Sequence, residues 1–386
     1  MSSIPLSIPS LNGNEWKYVK ECLDTNWISS AGKFVEFFEE KISEYCGVNH
    51  AIACVNGTSA LQISLKLAGV QQGDEVIIPS LTFIAPVNAI SYNGAEPIFM
   101  DSDSHYNLDS FKTIQFINNH TFFKNGYSYN KNTKKRISAI IPVHIWGNAV
   151  MLDDLIPVCE ERNITVIEDA SESLGTTYKS GMFKGKKTGS IGKFGCLSFN
   201  GNKIITTGGG GMILTNDKLL AEKAKYLTTQ AKNDSIRYIH DEVGYNFRLT
   251  NIQAALGLAQ FEQLPEFLKK KKELHAIYKK AIKKIEGLQL ADTPKYANNN
   301  HWINVLLINN KFYGSTRDEV LDLLKNNGVE SRPIWKLNHF QKPYKMYGKY
   351  KIEKAISLVE KSLCIPSSSD LSITNINYII NILKKN

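Results

Sequence analysis

Short, nearly continuous apolar runs alternate with amphipathic stretches from about residue 50 to residue 215. Ala51 to Val55, Glu75 to Ile78, Pro97 to Met100, Ile137 to Val143 and Thr165 to Ile167 predict strands, and Gly195 to Phe199 and Met212 to Thr215 predict two more. Between them Leu61 to Ala68, Ala85 to Tyr92 and Asp153 to Glu161 space their apolar residues at a helical period, as does Glu15 to Leu23 near the start. Strands apolar on both faces and separated by helices predict an α/β fold, a mainly parallel sheet flanked by helices. Residues 117–136 break the rhythm with a polar, aromatic-rich insertion that reads as a long loop, a kind of segment often kept for function. From Leu264 a Lys-rich helix leads out of this region. Trp302 to Asn309 and Arg317 to Asn326 then read as strand and helix. The expected organisation is a large α/β domain over residues 1–264 and a smaller α+β domain over 265–386.

Composition narrows the function classes. Of 386 residues 42% are hydrophobic and 22% charged, which excludes a disordered chain. The formal charge of +9 favours an anionic ligand, although the lysines at 269–272 and 279–284 also fit a solvated helix face. No basic and aromatic interleaving of a nucleic-acid motif appears, so no nucleic-acid partner is expected. The cysteines at 22, 46, 54, 159, 196 and 364 form no C-x-x-C pair and have no histidine at ligand spacing, so reduced thiols and no metal are expected. The N-terminus lacks a basic flank before an apolar stretch, and no run of roughly 18 apolar residues occurs. A soluble cytoplasmic protein with no membrane partner is the expectation.

Three features converge on one cofactor. Lys203 lies between two predicted strands, beside Gly208 to Gly211, which let backbone approach a ligand closely. Asp169 ends a predicted strand, where ligands of open α/β sheets bind. Gly57-Thr58-Ser59 opens a helix with hydroxyls and free N–H groups where an anion is favoured. Pyridoxal phosphate needs an amine for its aldehyde, a carboxylate for its ring nitrogen and donors for its phosphate. Taken singly, Asp169 also fits a helix N-cap, Lys203 a surface loop and Phe83 a core ring; their company points to the cofactor. Gly208 to Gly211 leads into a strand, against a dinucleotide fingerprint, and Gly181 to Thr188 is misspaced for a nucleoside-triphosphate loop.

Glu168-Asp-Ala-Ser-Glu-Ser-Leu-Gly175, Ser198-Phe-Asn-Gly-Asn-Lys203 with its glycine run, and Gly244 to Gly257 resemble the nucleotide-sugar aminotransferases of the DegT/DnrJ/EryC1/StrS family over nearly the whole chain. The resemblance implies the aspartate aminotransferase fold, fold type I of pyridoxal phosphate enzymes, with a mainly parallel seven-stranded sheet. It implies a homodimer with shared active sites that moves the amino group of L-glutamate to a nucleotide-linked keto sugar. By position, Lys203 resembles the Schiff-base lysine, Asp169 the ring-nitrogen partner and Phe83 the stacking ring. Thr58, Ser59 and Ser198 match phosphate ligands, with Asn246 reaching in from the partner subunit. Glu172 stands where many members have Gln near the cofactor hydroxyl. Trp27, Ser29, Arg332 and His339 fall where the family meets its sugar nucleotide. Within the family, Phe122 to Tyr127, Val143 to Asn148 and Thr228 to Lys232 with His240 to Val243 resemble the branch that aminates C4 of a 4-keto-6-deoxy N-acetylhexosamine nucleotide for legionaminic acid and related bacterial surface glycans such as O-antigens. The Thr-Thr-Gln-Ala run is also similar to perosamine and bacillosamine-type enzymes, and C3 amination stays an alternative. A pyridoxal-dependent 3-dehydratase, with His at the lysine position, is disfavoured by Lys203. A non-catalytic sugar-nucleotide binder of the same fold is the rival from another class.

Overall fold

The computed structural model describes residues 3–234 and 236–384. Its main sheet is built from β1 (His50–Cys54), β2 (Glu75–Pro79), β3 (Glu96–Met100), the hairpin β4 (Thr121–Lys124) and β5 (Tyr127–Asn130), β6 (Arg136–Ile140), β7 (Thr165–Asp169), β9 (Phe194–Ser198) and β10 (Gly211–Thr215); β8 (Thr177–Tyr178) pairs elsewhere, with Ala297–Asn298. The order across the sheet is β1-β10-β9-β7-β6-β2-β3. From β9 to β3 every neighbour is parallel, because a helix-bearing crossover separates most of these strands in the chain. The β9–β10 connection carries no helix, so β10 returns antiparallel beside β9, and β1 pairs antiparallel with β10. Val76, Ile77 and Ile78 are each 0% exposed, since both faces of β2 are covered. Burial of this kind contributes about 1.5–3 kcal/mol per side chain.

The 117–136 insertion is not an open loop. The helix Ser110–His120 runs into β4, and Asn125-Gly126, with φ of 52° and 79°, makes the tight turn to β5. β5 then pairs with Ile137 and Arg136 at the start of β6. That is the end of the sheet opposite the carboxyl ends of the parallel strands, so the insertion is not brought to the cleft described below.

A second, antiparallel sheet contains Leu288–Leu290, Asn304–Ile308, Ser362–Ile365 and Arg332–Pro333 in that order. The helices Leu264–Ile282, Arg317–Asn326 and Ile373–Lys384 share one apolar cluster with it. This unit borrows from outside its own stretch of chain, since Ile4 joins the cluster and bridges to Val329. It also lends a strand to the main sheet, where Lys349–Tyr350 runs parallel beside β3. Among the described residues no helix is long and apolar enough to cross a membrane, and no group of His, Cys, Asp or Glu is arranged to hold a metal.

Candidate active site

A cleft of about 530 Å³ opens at the carboxyl ends of the parallel strands. The segments that follow β1, β2, β6, β7 and β9 all reach it, and the second sheet closes it with Trp302, Arg332 and Trp335. Strand geometry explains why one of two consecutive acids faces this cleft. Successive side chains on β7 point to opposite faces. Asp169 lines the cleft, whereas Glu168 is turned into the core onto His144 Nε2 at 2.9 Å and the N–H groups of Gly189, Ile191 and Gly192. Burial alone would push the Glu168 carboxyl up, but the His144 hydrogen bond and these N–H donors hold it below the usual range.

Lys203 sits between two different partners. Its Nζ lies 3.5 Å from Glu172 Oε1 and 4.1 Å from the centroid of the Trp302 ring. The indole N–H of Trp302 donates to the Asn202 carbonyl at 2.6 Å, fixing the backbone next to Lys203. Asp169 shares the same cavity and accepts the Ser171 N–H at 3.1 Å. Burial pushes the carboxyls of both Asp169 and Glu172 above their ordinary values, with the Lys203 charge opposing the rise. Two buried carboxylates facing one amine make a site that favours positive charge in whatever the cavity holds.

The turn expected to take an anion forms as a helix start. Asn56, in an extended conformation, caps the helix Gly57–Leu67 by accepting the Ser59 N–H at 2.8 Å. Gly57 packs so closely that a Cβ there would meet Ser198 Cβ at 3.0 Å and Ser171 Oγ at 3.3 Å, so hydroxyls from three segments gather at one helix N-terminus. Gly211, the first residue of β10, packs against the back of the same turn. A Cβ at Gly211 would stand 2.4 Å from the Asn56 carbonyl carbon and 2.6 Å from the Gly57 nitrogen, both backbone atoms that cannot swing aside. Gly211→Ala is therefore expected to displace the turn, costing roughly 1–3 kcal/mol of stability. Thermal unfolding together with loss of pyridoxal phosphate on gel filtration checks this.

The structure brings Lys203, Asp169, Glu172, Thr58, Ser198, Phe83 and Arg332 to one cleft. Phe83 is 53% exposed there and stands 6.2 Å from Trp335, centroid to centroid. Ser59 is adjacent but buried, with its N–H spent on the Asn56 cap. Asn246 is exposed and bridged to Thr229, outside the cleft of its own chain. Trp27 and Ser29 are exposed too, their carbonyls accepting from Asn251 at 2.7 and 2.6 Å. His339, expected beside the sugar nucleotide, is instead buried in the wall with its Nδ1 2.6 Å from Ser80 Oγ. Burial lowers its pKa to about 4, which keeps the ring neutral.

Three tryptophans went unassigned in the sequence. Trp146 takes φ of 51°, a left-handed conformation that is costly for a bulky residue and recurs at functional sites. Its N–H donates to Glu172 Oε2 at 2.8 Å, and its ring stacks on Trp335 at 5.4 Å. Trp302 and Trp335 follow from neighbours in the second sheet. The available signal was Trp335 lying three residues beyond Arg332 on an extended segment.

A buried carboxylate, a lysine amine and a hydroxyl-lined helix N-terminus meet in one cavity, and these are the three groups pyridoxal phosphate requires, so the residues fit the cofactor. Fold and site define a pyridoxal phosphate-dependent aminotransferase of fold type I. The chain belongs to the DegT/DnrJ/EryC1/StrS aminotransferase family, whose profile matches residues 9–384. It is 39% identical over 386 residues to a GDP-perosamine synthase of Caulobacter vibrioides, covering 98% of each chain. It is 36% identical over 387 residues to the putative pyridoxal phosphate-dependent aminotransferase EpsN of Bacillus subtilis, covering 98% of this chain and 95% of that one. A UDP-4-amino-4,6-dideoxy-N-acetyl-beta-L-altrosamine transaminase of Campylobacter jejuni is 29% identical over 359 residues, 91% of this chain and 89% of its own. Among solved structures, a DegT DnrJ EryC1 StrS aminotransferase from Brucella abortus superposes with a TM-score of 0.85 at 27% identity, over 96% of this chain and 95% of that one. The protein is a nucleotide-sugar aminotransferase.

Proposed function

We propose that the protein moves the amino group of L-glutamate to C4 of a nucleoside-diphosphate 4-keto-6-deoxy N-acetylhexosamine, supplying a bacterial surface glycan of the legionaminic acid type. The observation that carries the reading is Lys203 beside Asp169 in a cleft whose outer rim bears Arg332. Similarity to a transaminase named for a 4-amino-4,6-dideoxy N-acetyl sugar supports both the position and the N-acetyl group. The relative at 39% identity favours a second reading, C4 amination of a GDP-linked sugar of the perosamine type.

When bound, pyridoxal phosphate supplies an aldehyde for the Lys203 amine and a ring that draws electrons from the carbon bearing nitrogen. Asp169 supplies the negative charge for a cationic ring nitrogen. Thr58, Ser198 and the N–H groups at the start of the helix Gly57–Leu67 offer donors to the phosphate, with Phe83 against the ring face. The Lys203 Nζ takes a proton from the donor's α-carbon and later delivers one to C4, which sets the face on which hydrogen arrives. Arg332 offers a bidentate fork to a diphosphate.

A homodimer in the cytoplasm completes the proposal, with Asn246 entering the partner's cleft. Its support is the hairpin of Lys232–Asp234 and Ile239–His240 and the segment after it, which hold Ile236, Tyr238 and Val243 out at 87%, 70% and 79% exposure. Apolar tips of this kind mark a contact surface. The deciding assay incubates the purified protein with L-glutamate and UDP- or GDP-linked 4-keto-6-deoxyhexoses, with and without the N-acetyl group, and locates the new nitrogen by NMR. A C4 amine on the N-acetyl substrate is expected. Preference for the GDP sugar lacking N-acetyl establishes the perosamine-type reading instead. Nitrogen at C3, or no amine at all, rejects both.

A further inference from the structure

Glu172 is held for a task that packing does not explain. One carboxylate oxygen, Oε2, is fixed by the Trp146 N–H at 2.8 Å, a donor aimed by a left-handed backbone. The other, Oε1, faces the Lys203 Nζ at 3.5 Å. The main chain is clamped as well, since the Asn300 side-chain amide donates to the carbonyls of Glu172 and Leu174 at 2.9 and 3.0 Å. The Asn300 side-chain oxygen accepts the Trp302 N–H at 3.0 Å, so one asparagine sets both neighbours of Lys203. The strained turn packs tightly on this clamp, with room at Gly147 for the Asn300 side-chain oxygen only because that position carries no Cβ. Strain at Trp146 and a buried carboxylate are both unfavourable for folding, and a chain that keeps both has a use for the charge they aim.

We propose that Glu172 is the anionic partner that holds the proton on the Lys203 nitrogen while that nitrogen is joined to the cofactor. The charged and titratable groups facing this nitrogen are few. β7 supplies Asp169, the turn after it supplies Glu172, and the second sheet supplies Arg332 and the thiol of Cys364, which burial pushes up to about 12 and so keeps neutral. Of the two carboxylates, Glu172 is the one within ion-pair distance of Nζ. Asp169 is left for the ring nitrogen. A charge at this range stabilises a protonated nitrogen by Coulomb attraction, more strongly where both groups are largely buried, and a proton retained on it keeps the neighbouring carbon open to attack by the donor's amine. The step is a proton held between Nζ and Oε1, with no other reactant. Burial raises the Glu172 carboxyl, so at the acid end of the range Glu172 takes up a proton itself and its influence fades.

This inference rests on the cofactor reading and needs no sugar substrate, so it fails separately from the proposed specificity. The experiment follows the visible absorption of the pyridoxal phosphate-loaded protein against pH, in the native chain, Glu172→Gln and Glu172→Asp. Glu172→Gln keeps an acceptor for the Trp146 N–H and removes the charge. Its colour change is expected to fall by roughly 1–3 pH units, as loss of an opposite charge at this distance predicts, with full cofactor occupancy. Glu172→Asp retains the charge farther away and should shift the same way by less. Identical titrations in all three proteins overturn the proposal, as does an upward shift in either variant. If Glu172→Gln does not fold, the Glu172→Asp titration decides by its sign. No visible band in the native protein would instead reject the cofactor site.

Discussion

Lys203→Ala protein should be colourless after reconstitution and slower by at least ~10⁴-fold, with both half-reactions affected. Two losses combine in one substitution. The covalent anchor for the aldehyde goes, and so does the base that moves protons, a contribution of about 10²–10⁴-fold by itself. The fold should persist, because Lys203 lies in a turn between β9 and β10 and its side chain lines the cleft rather than filling the apolar core. Removing it leaves Glu172 and Asp169 as two buried carboxylates without their cation. Absorption spectroscopy and single-turnover assays with glutamate alone check the result, and a variant that kept a visible band would move the anchor elsewhere.

Asp169→Asn should lower kcat by roughly 10²–10³-fold while leaving the shape of the cleft intact, since it deletes a fixed charge and little volume. Its effect on stability has the opposite sign in the cofactor-free protein. Burial raises the folded-state pKa of Asp169, so the folded chain binds a proton that the unfolded chain has released. Stability from this group is therefore fully present below the unfolded pKa and lost as pH rises through the folded one. Cofactor-free Asp169→Asn should accordingly melt above the native protein at about pH 8, with the gap closing as pH falls below the unfolded aspartate value of about 3.9, where Asp169 becomes protonated in either state. The loaded proteins should show the reverse order. A site that costs stability until its ligand arrives is the expected trade of activity against robustness, and calorimetry on the four samples measures it.

Much of the fold was readable because its signals are local. All seven principal strands fall within a few residues of their predicted positions, and Arg317–Asn326 coincides with its predicted helix. The helices Lys33–Cys46 and Ser110–His120 and the β4–β5 hairpin escaped the reading. In the last case Asn125-Gly126 carried the hairpin signal, but aromatic and polar residues around it masked the strand alternation. The insertion attracted a functional reading by its length and by the branch resemblance over Phe122 to Tyr127, and pairing with the start of β6 places it at the far end of the sheet.

By itself the sequence determined the alternation of strands and helices, the helix-opening turn at Gly57 and the presence of a strand-end carboxylate and a turn lysine, because each depends on residues close together in the chain and on side-chain chemistry that does not change with context. Only the tertiary structure decided which remote groups meet that lysine. Glu172 turns its free oxygen on Lys203, Trp302 covers it from the second sheet, and His339 retreats onto Ser80. Those outcomes follow from how strand ends converge and which side chains the core can bury, and neither is written in any local stretch of the chain.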